Sequence, residues 1–204
     1  MLFRSVEASS KDEVEGMGIF VGTPIIYDTK FKERRGTYIS RALDNRIGGY
    51  AIAQVAKKLK ENNIELPYSL YIVNAVQEEI GLVGAHMIAT SIKPDVAIVT
   101  DVCHDTSTPL MNPVDAGDTK CGLGPVIFRG ADIQLNLHKQ VIKVAEQQKI
   151  KFQRGTYNGN SGTDTGAIYK AAGGVASQLI SLPLKYMHTS VESVNKKDVK
   201  KLIN

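Results

Sequence analysis

Six side chains in this sequence are of types that bind divalent cations or carry protons: Asp44, Glu78, Glu79, Asp101, Asp164 and His188. Glu78 and Glu79 follow an apolar, β-branched run (SLYIVNAV, residues 69–76) and precede Gly81 and a short helical stretch, residues 82–91. Two carboxylates therefore stand where a strand gives way to a helix, the position at which ligand sites form in open α/β sheets. Adjacent residues leave such a turn in different directions, so one glutamate can bind a metal while its neighbour handles a proton. Taken singly, each residue has a plainer reading. Two neighbouring acids are commonly solvated, Asp44 has the chemistry of a helix N-cap, Asp101 that of a turn cap, and His188 that of an exposed loop histidine. Taken together, carboxylates and one imidazole at the ends of successive elements match a carboxylate-bridged pair of divalent ions about 3.5–4 Å apart. Mixed carboxylate and imidazole ligands suit zinc, cobalt or manganese better than magnesium or calcium. The glutamate left over would be the general base for amide or ester hydrolysis.

The elements that must position these residues alternate. Ser10 and Glu13 form a capping-box start for one or two turns closed by Gly16 and Gly18. Residues 21–31 (VGTPIIYDTKF) read as a strand and residues 33–36 as a turn. A helix opens at Asp44 or Asn45, with Ile47, Ala51, Val55 and Leu59 on one face. After the strand 69–76 and helix 82–91 comes a strand from 96 to 102, carrying Thr100-Asp101. Residues 104–125 read as a long loop with at most a short edge strand. Ile133, Leu137, Val141 and Ala145 mark a second amphipathic helix, followed by a short strand at 150–153. The glycine-rich loop 155–166 leads to a short helix at 167–172, and a buried strand at 175–182 ends at Pro183. A terminal helix begins at Asn195. This order implies an α/β fold with a largely parallel, mixed sheet between helices.

Composition narrows the function classes. The formal charge of +4 comes from lysines scattered over helical faces and the tail, without an aromatic-interleaved basic stripe, which argues against nucleic acid. Cys103 and Cys121 form neither a CxxC motif nor a disulfide framework. With no apolar run of membrane-spanning length and no signal-peptide core, a reduced, cytoplasmic protein off the membrane is expected.

The motifs carry a specific resemblance. ALDNRIGG, VQEEIGLVGA, VTDVCHDTSTP, SGTDTGAI and YMHTSVE occur here in that order. They resemble the A-[LF]-D-[ND]-R-x-G, V-Q-E-E-[IV]-G-x-x-G-A, strand-Asp, G-[GS]-T-D-x-G-A and Y-x-H-[ST]-x-x-E motifs of the glutamyl/leucyl metallo-aminopeptidases. That family includes the tetrahedral self-compartmentalising peptidases. The resemblance implies a zinc-exopeptidase-like fold and a metal-dependent hydrolase, a protease that removes N-terminal residues from peptides with a free α-amino group. It implies two divalent ions (zinc, cobalt or manganese), bridged by Asp44. Glu79 and His188 would complete one site, and Asp101 would serve the other. Glu78 would be the catalytic base, Thr163 and Asp164 would line the substrate side, and Arg46 would support the site by pairing with nearby carboxylates.

The sequence departs from the family pattern in one respect. Family members carry an N-terminal catalytic segment with a metal-binding His-x-Asp motif, followed by an inserted β-rich dimerisation domain. Neither is present here. Residues 1–23 are expected to be a remnant of the exit from the inserted domain, and residues 24–204 a partial catalytic α/β domain. Of the four histidines, His86, His104 and His138 lie outside a His-x-Asp context, so the ion served by Asp101 lacks an imidazole and is expected to bind weakly. Homo-oligomerisation, or a partner chain supplying the segment, is expected. A second reading is a catalytically inactive assembly module keeping one metal or none. A third is a deacylase or carboxypeptidase of the wider co-catalytic zinc hydrolases, which would accept substrates lacking a free amine. Glycoside hydrolysis is disfavoured, since adjacent carboxylates on one segment do not face each other across a sugar.

Overall fold

The computed structural model describes residues 6–109 and 111–204. The first five residues of the expected remnant, and Leu110 in the long connection, lie outside the described residues. Helix α1 (Lys11–Gly16) begins at Ser10, whose Oγ accepts from the Glu13 N–H at 3.2 Å. Glu13 reaches back to the N–H and hydroxyl of Ser9, both at 2.8 Å, so the reciprocal half of the cap falls one residue earlier than a standard capping box.

Residues 21–31 are not a strand. They run irregularly with Ile26 and Tyr27 exposed, and Pro24 removes one ladder donor. The pairing begins just after them, in the hairpin of β1 (Lys32–Arg34) and β2 (Thr37–Ser40). Arg35 and Gly36 both adopt positive φ, the conformation a two-residue hairpin turn needs.

The sheet is mixed. Its longest pairing is parallel, with nine residues of β3 (Val96–His104) in register with β6 (Ala176–Lys185). Strand β6 holds the sheet together. On its other edge it pairs antiparallel with β4 (Val126–Arg129) at Ile180 and Ser181, and then with β7 (Glu192–Asn195) at Leu184 and Lys185. Pro183, expected to end this strand, lies inside it. It falls in the gap between those two antiparallel partners, where a missing N–H breaks no antiparallel pairing on that edge. Strand β5 (Gln153–Thr156), three residues later than expected, pairs parallel with β4, and β2 pairs with β7.

Helix α2 (Leu43–Glu61) and the terminal helix α7 (Lys196–Ile203) share one apolar cluster with the sheet. It comprises Leu43, Ile47, Val102, Leu182, Leu184, Val194 and Val199. Helix α5 (Leu135–Gln147) packs Ile142 and Ala145 on Ile127, beside Phe152 and Ile180. The long connection after β3 contains α4 (Pro113–Ala116) and is fastened by two buried carboxylates. Asp105 accepts from the N–H groups of Ser107 and Cys121, and Asp198 of α7 accepts from those of Gly122 and Gly124.

The largest departure from expectation is at residues 69–76. They are extended, but among the described residues they join no ladder, and residues 65–75 make no backbone hydrogen bond. The apolar side chains expected to be buried are exposed, Tyr71 at 62% and Val76 at 67%. The composition suits a strand, but no described strand lies alongside to pair with it.

Leu182 is fully buried in the main cluster. Leu182→Ala is expected to lower the unfolding free energy by about 2–5 kcal/mol, read as a shift in the urea midpoint at unchanged m-value.

Candidate metal and acid–base site

Glu78 and Glu79 are presented by a tight turn between residue 76 and helix α3 (Val83–Ile92). The Gly81 and Leu82 N–H groups donate to the Glu78 carbonyl, and those of Val83 and Gly84 close back onto the carbonyls of Gln77 and Val76. Gly84 is required here, because a Cβ at that position would lie 2.3 Å from the Val76 carbonyl oxygen. Asp44 is displayed at the start of α2, where Asp44 and Asn45 depart from helical geometry. Asn45 fixes that start to β3: its amide donates to the Thr100 carbonyl at 2.7 Å while its oxygen accepts from the Gly48 N–H at 3.0 Å. Asp101, the next residue of β3, is thereby held beside Asp44.

His188 follows β6 with a positive φ. Its Nε2 lies 3.1 Å from Asp44 Oδ2 and 3.5 Å from Glu79 Oε2. Asp44, Glu79 and His188 each offer a ligand atom, all within 4.8 Å of one another, an arrangement that fits a divalent ion. They line an open cavity of about 350 Å³ with Ala42, Thr189 and Glu192.

Glu192 had no role assigned from sequence, although it closes the YMHTSVE motif. Its buried carboxylate accepts from the His188 N–H at 2.7 Å and from the Asp44 N–H at 3.1 Å, tying two candidate ligands together through their backbones. Asp132 was likewise not anticipated. It accepts from the Tyr157 hydroxyl and from the N–H and hydroxyl of Ser161, and so organises the glycine-rich loop. The Ser161 hydroxyl lies 2.9 Å from Thr163 Oγ1, which leaves Thr163 buried and internally bonded. Asp164 precedes the short helix α6 (Thr165–Ile168) with one carboxylate oxygen buried and unpartnered among the described residues.

These acids disturb one another. Burial pushes Glu78 up to about 7, helped by repulsion from Asp164, Glu79 and Asp44. Asp101 is pushed up to about 8, again chiefly by burial, against the lowering effect of the Val102 N–H bonded to it at 2.8 Å. Asp44 is raised by burial and by Glu79, and Asp164 by burial. Arg46 is exposed and makes no ion pair among the described residues. His104 is exposed at the end of β3 and His86 is exposed on α3, while His138 bonds Gln178 through Nδ1 at 3.0 Å. None of the three joins the ligand cluster.

The chain is similar to known proteins over nearly its whole length. Residues 2–204 match the model of the M42 glutamyl aminopeptidase family. The lysyl aminopeptidase of Pyrococcus furiosus is 35% identical over 199 residues, covering 95% of this chain and 54% of its own length. The crystal structure of a TET aminopeptidase from the marine sediment archaeon SCGC AB-539-E09 superposes with a TM-score of 0.88 at 32% identity, covering 96% of this chain and 56% of that one. The TET1 peptidase of Pyrococcus horikoshii, described as assembling into a tetrahedron or a large octahedral shell, matches with a TM-score of 0.73 at 28% identity over 96% of this chain and 56% of its own. The chain thus spans about half the length of these relatives.

Two expectations follow from the electrostatics. Between an unfolded carboxyl value near 4 and the folded value of about 8, the folded state holds a proton on Asp101 that the unfolded chain has lost. Stability of the metal-free protein should therefore fall as pH rises through that window, and Asp101→Asn should flatten the slope in thermal melts taken with chelator present. Glu192→Gln replaces one accepting oxygen with a donor facing a backbone N–H. It should weaken zinc binding about 10–100-fold by isothermal titration.

Proposed function

This chain belongs to the M42 glutamyl aminopeptidase family, and from that membership we propose that it is a metal-dependent aminopeptidase unit releasing N-terminal residues from peptides. The observation that carries the reading is the convergence of Asp44, Glu79 and His188 with Glu78 on the adjoining residue of the same turn. Asp44, Glu79 and His188 would hold one divalent ion. Asp44 and Asp101 would hold a second more weakly, since His188 serves the first ion and no other described histidine joins the cluster. Zinc, cobalt and manganese suit this donor set. Bound there, such ions act as Lewis acids toward a carbonyl oxygen and lower the pKa of water.

The protein's own groups account for the remaining steps. Glu78 would accept a proton from the attacking water and return it to the departing amine, the two transfers amide hydrolysis requires. Asp164 would line the substrate side as one of the acids whose charge draws the positive α-amino group of a peptide, and Thr163, bonded to Ser161, holds its loop. Glu192 keeps Asp44 and His188 in register. The proposed substrates are short peptides with a free N-terminus. The TET assemblies among the relatives support a homo-oligomer, and the two free cysteines suit a reducing cytoplasm. Among the described residues no helix is long and apolar enough to cross a membrane.

A second reading, a binding module that keeps the three-ligand site without turnover, is favoured by the ligand cluster, which holds Asp44, Glu79 and His188 but not Asp101. One experiment separates them: hydrolysis of a free-amine peptide and its N-blocked counterpart by zinc- or cobalt-loaded protein. The aminopeptidase reading expects chelator-sensitive cleavage of the free-amine peptide alone. Glu78→Ala should cut kcat roughly 10²–10⁴-fold while metal per chain by elemental analysis is unchanged. Equal turnover by Glu78→Ala would remove the base assignment. No turnover above blank would leave the binding module.

A further inference from the structure

Every side-chain hydrogen bond that Asp132 makes among the described residues goes to the glycine-rich loop. Asp132 stands in the turn between β4 and α5 and is only 2% exposed. One of its oxygens accepts from the Tyr157 hydroxyl, and the other accepts from the N–H of Ser161 at 3.1 Å and from its hydroxyl at 2.8 Å. A buried carboxylate needs donors for its oxygens, and here they come from both sides of one bend, residues 157–161.

These bonds have a direction. A carboxylate only accepts, and burial, reinforced by the bond to Asp132, pushes the Tyr157 phenol up, so it stays a donor. Ser161 uses its single hydroxyl proton on Asp132. Its oxygen can then only accept from the Thr163 hydroxyl, 2.9 Å away, and Thr163 Oγ1 accepts in turn from the Thr165 N–H at 3.3 Å. The Thr163 proton is therefore used inside the loop, which fixes the backbone on both sides of Asp164. Packing seats the same loop. The Tyr157 ring lies 5.7 Å from that of Phe128, and a Cβ on Gly130 would run into it. At the far end, a Cβ on Gly166 would sit 3.7 Å from Asp132 Oδ2 and 3.7 Å from Leu82 Cδ1. Leu82 belongs to the turn that presents Glu78, whose carbonyl accepts its N–H at 3.0 Å. The end of the loop thus stands between Asp132 and that turn.

We propose that Asp132 is a positioning residue for the N-terminal residue of a bound peptide, acting through Ser161 and Thr163 on the loop that carries Asp164. The ligand class rests on the aminopeptidase reading. None of the hydrogen bonds of Asp132 reaches Asp44, Glu79 or His188, whereas Glu192 accepts from the backbone of two of them. The two buried acids divide the work. Glu192 serves the ions, and Asp132 serves the peptide.

The test uses zinc-loaded protein carrying Glu78→Ala, so that peptide is bound without being consumed. Lysyl-, leucyl- and glutamylglycine are titrated calorimetrically, and the tightest is carried forward. Asp132→Ala removes all three bonds. Ser161→Ala cuts the relay and leaves the Tyr157 bond, and it decides the matter if Asp132→Ala does not fold. Each variant should weaken the dipeptide at least about 10-fold and speed amide exchange of residues 157–166 at least about 10-fold, with zinc affinity unchanged. With Glu78 intact, KM should rise more than kcat falls. Dipeptide and zinc affinity falling together would show a merely structural role and overturn the proposal. Cleavage by the parent chain with dipeptide affinity unmoved by the variants would overturn the proposal alone. A parent chain that binds dipeptide without cleaving it, and loses that binding in the variants, would remove the aminopeptidase reading and support the positioning role. A parent chain that binds none of the dipeptides would overturn both.

Discussion

Crowding of like charge is the constraint on which this structure turns. Asp44, Glu78, Glu79, Asp101 and Asp164 act electrostatically on a common space with one imidazole among them. In water such a group would disperse. Here the acids are anchored by four different elements: the start of α2, the turn before α3, the middle of β3 and the glycine-rich loop. The repulsion is absorbed as proton affinity, so that the more buried acids hold protons well above the usual carboxylate range. A site under this kind of electrostatic tension is relieved by positive charge, whether proton, metal ion or ammonium group.

Holding the acids in place requires a second tier of polar contacts that face away from the cluster. Glu192 accepts the backbone N–H groups of Asp44 and His188, Asn45 links α2 to β3, and Asp132 gathers Tyr157 and Ser161. Each is a side-chain bond to a distant segment, which sets positions that short-range propensity leaves free. The buried carboxylates Asp105 and Asp198 do the same for a connection of some twenty residues. Polar groups inside this protein mostly specify where loops go.

The separation between what was legible from sequence and what was not follows that division. Helices α2 and α5 were readable because their apolar faces repeat at helical spacing. The candidate ligands were readable because each sits in a motif with distinctive neighbours. Glu192 and Asp132 escaped because a carboxylate bonded to remote backbone looks, in sequence, like any other acid. Pro183 reads in sequence as a strand end, because its tolerance depends on β6 changing partners from β4 to β7, a tertiary fact. The run 69–76 has the composition of a buried strand, yet pairing requires a neighbour that local sequence cannot announce.

The contact between Gly84 and Val76 has a mechanical consequence. The Gly84 N–H is bonded to the Val76 carbonyl at 3.0 Å, with no room for a side chain between them. The turn that presents Glu78 and Glu79 is therefore clamped at its base, residue 84 against residue 76. A side chain at position 84 would have to push that base apart, and the displacement would fall on the two carboxylates.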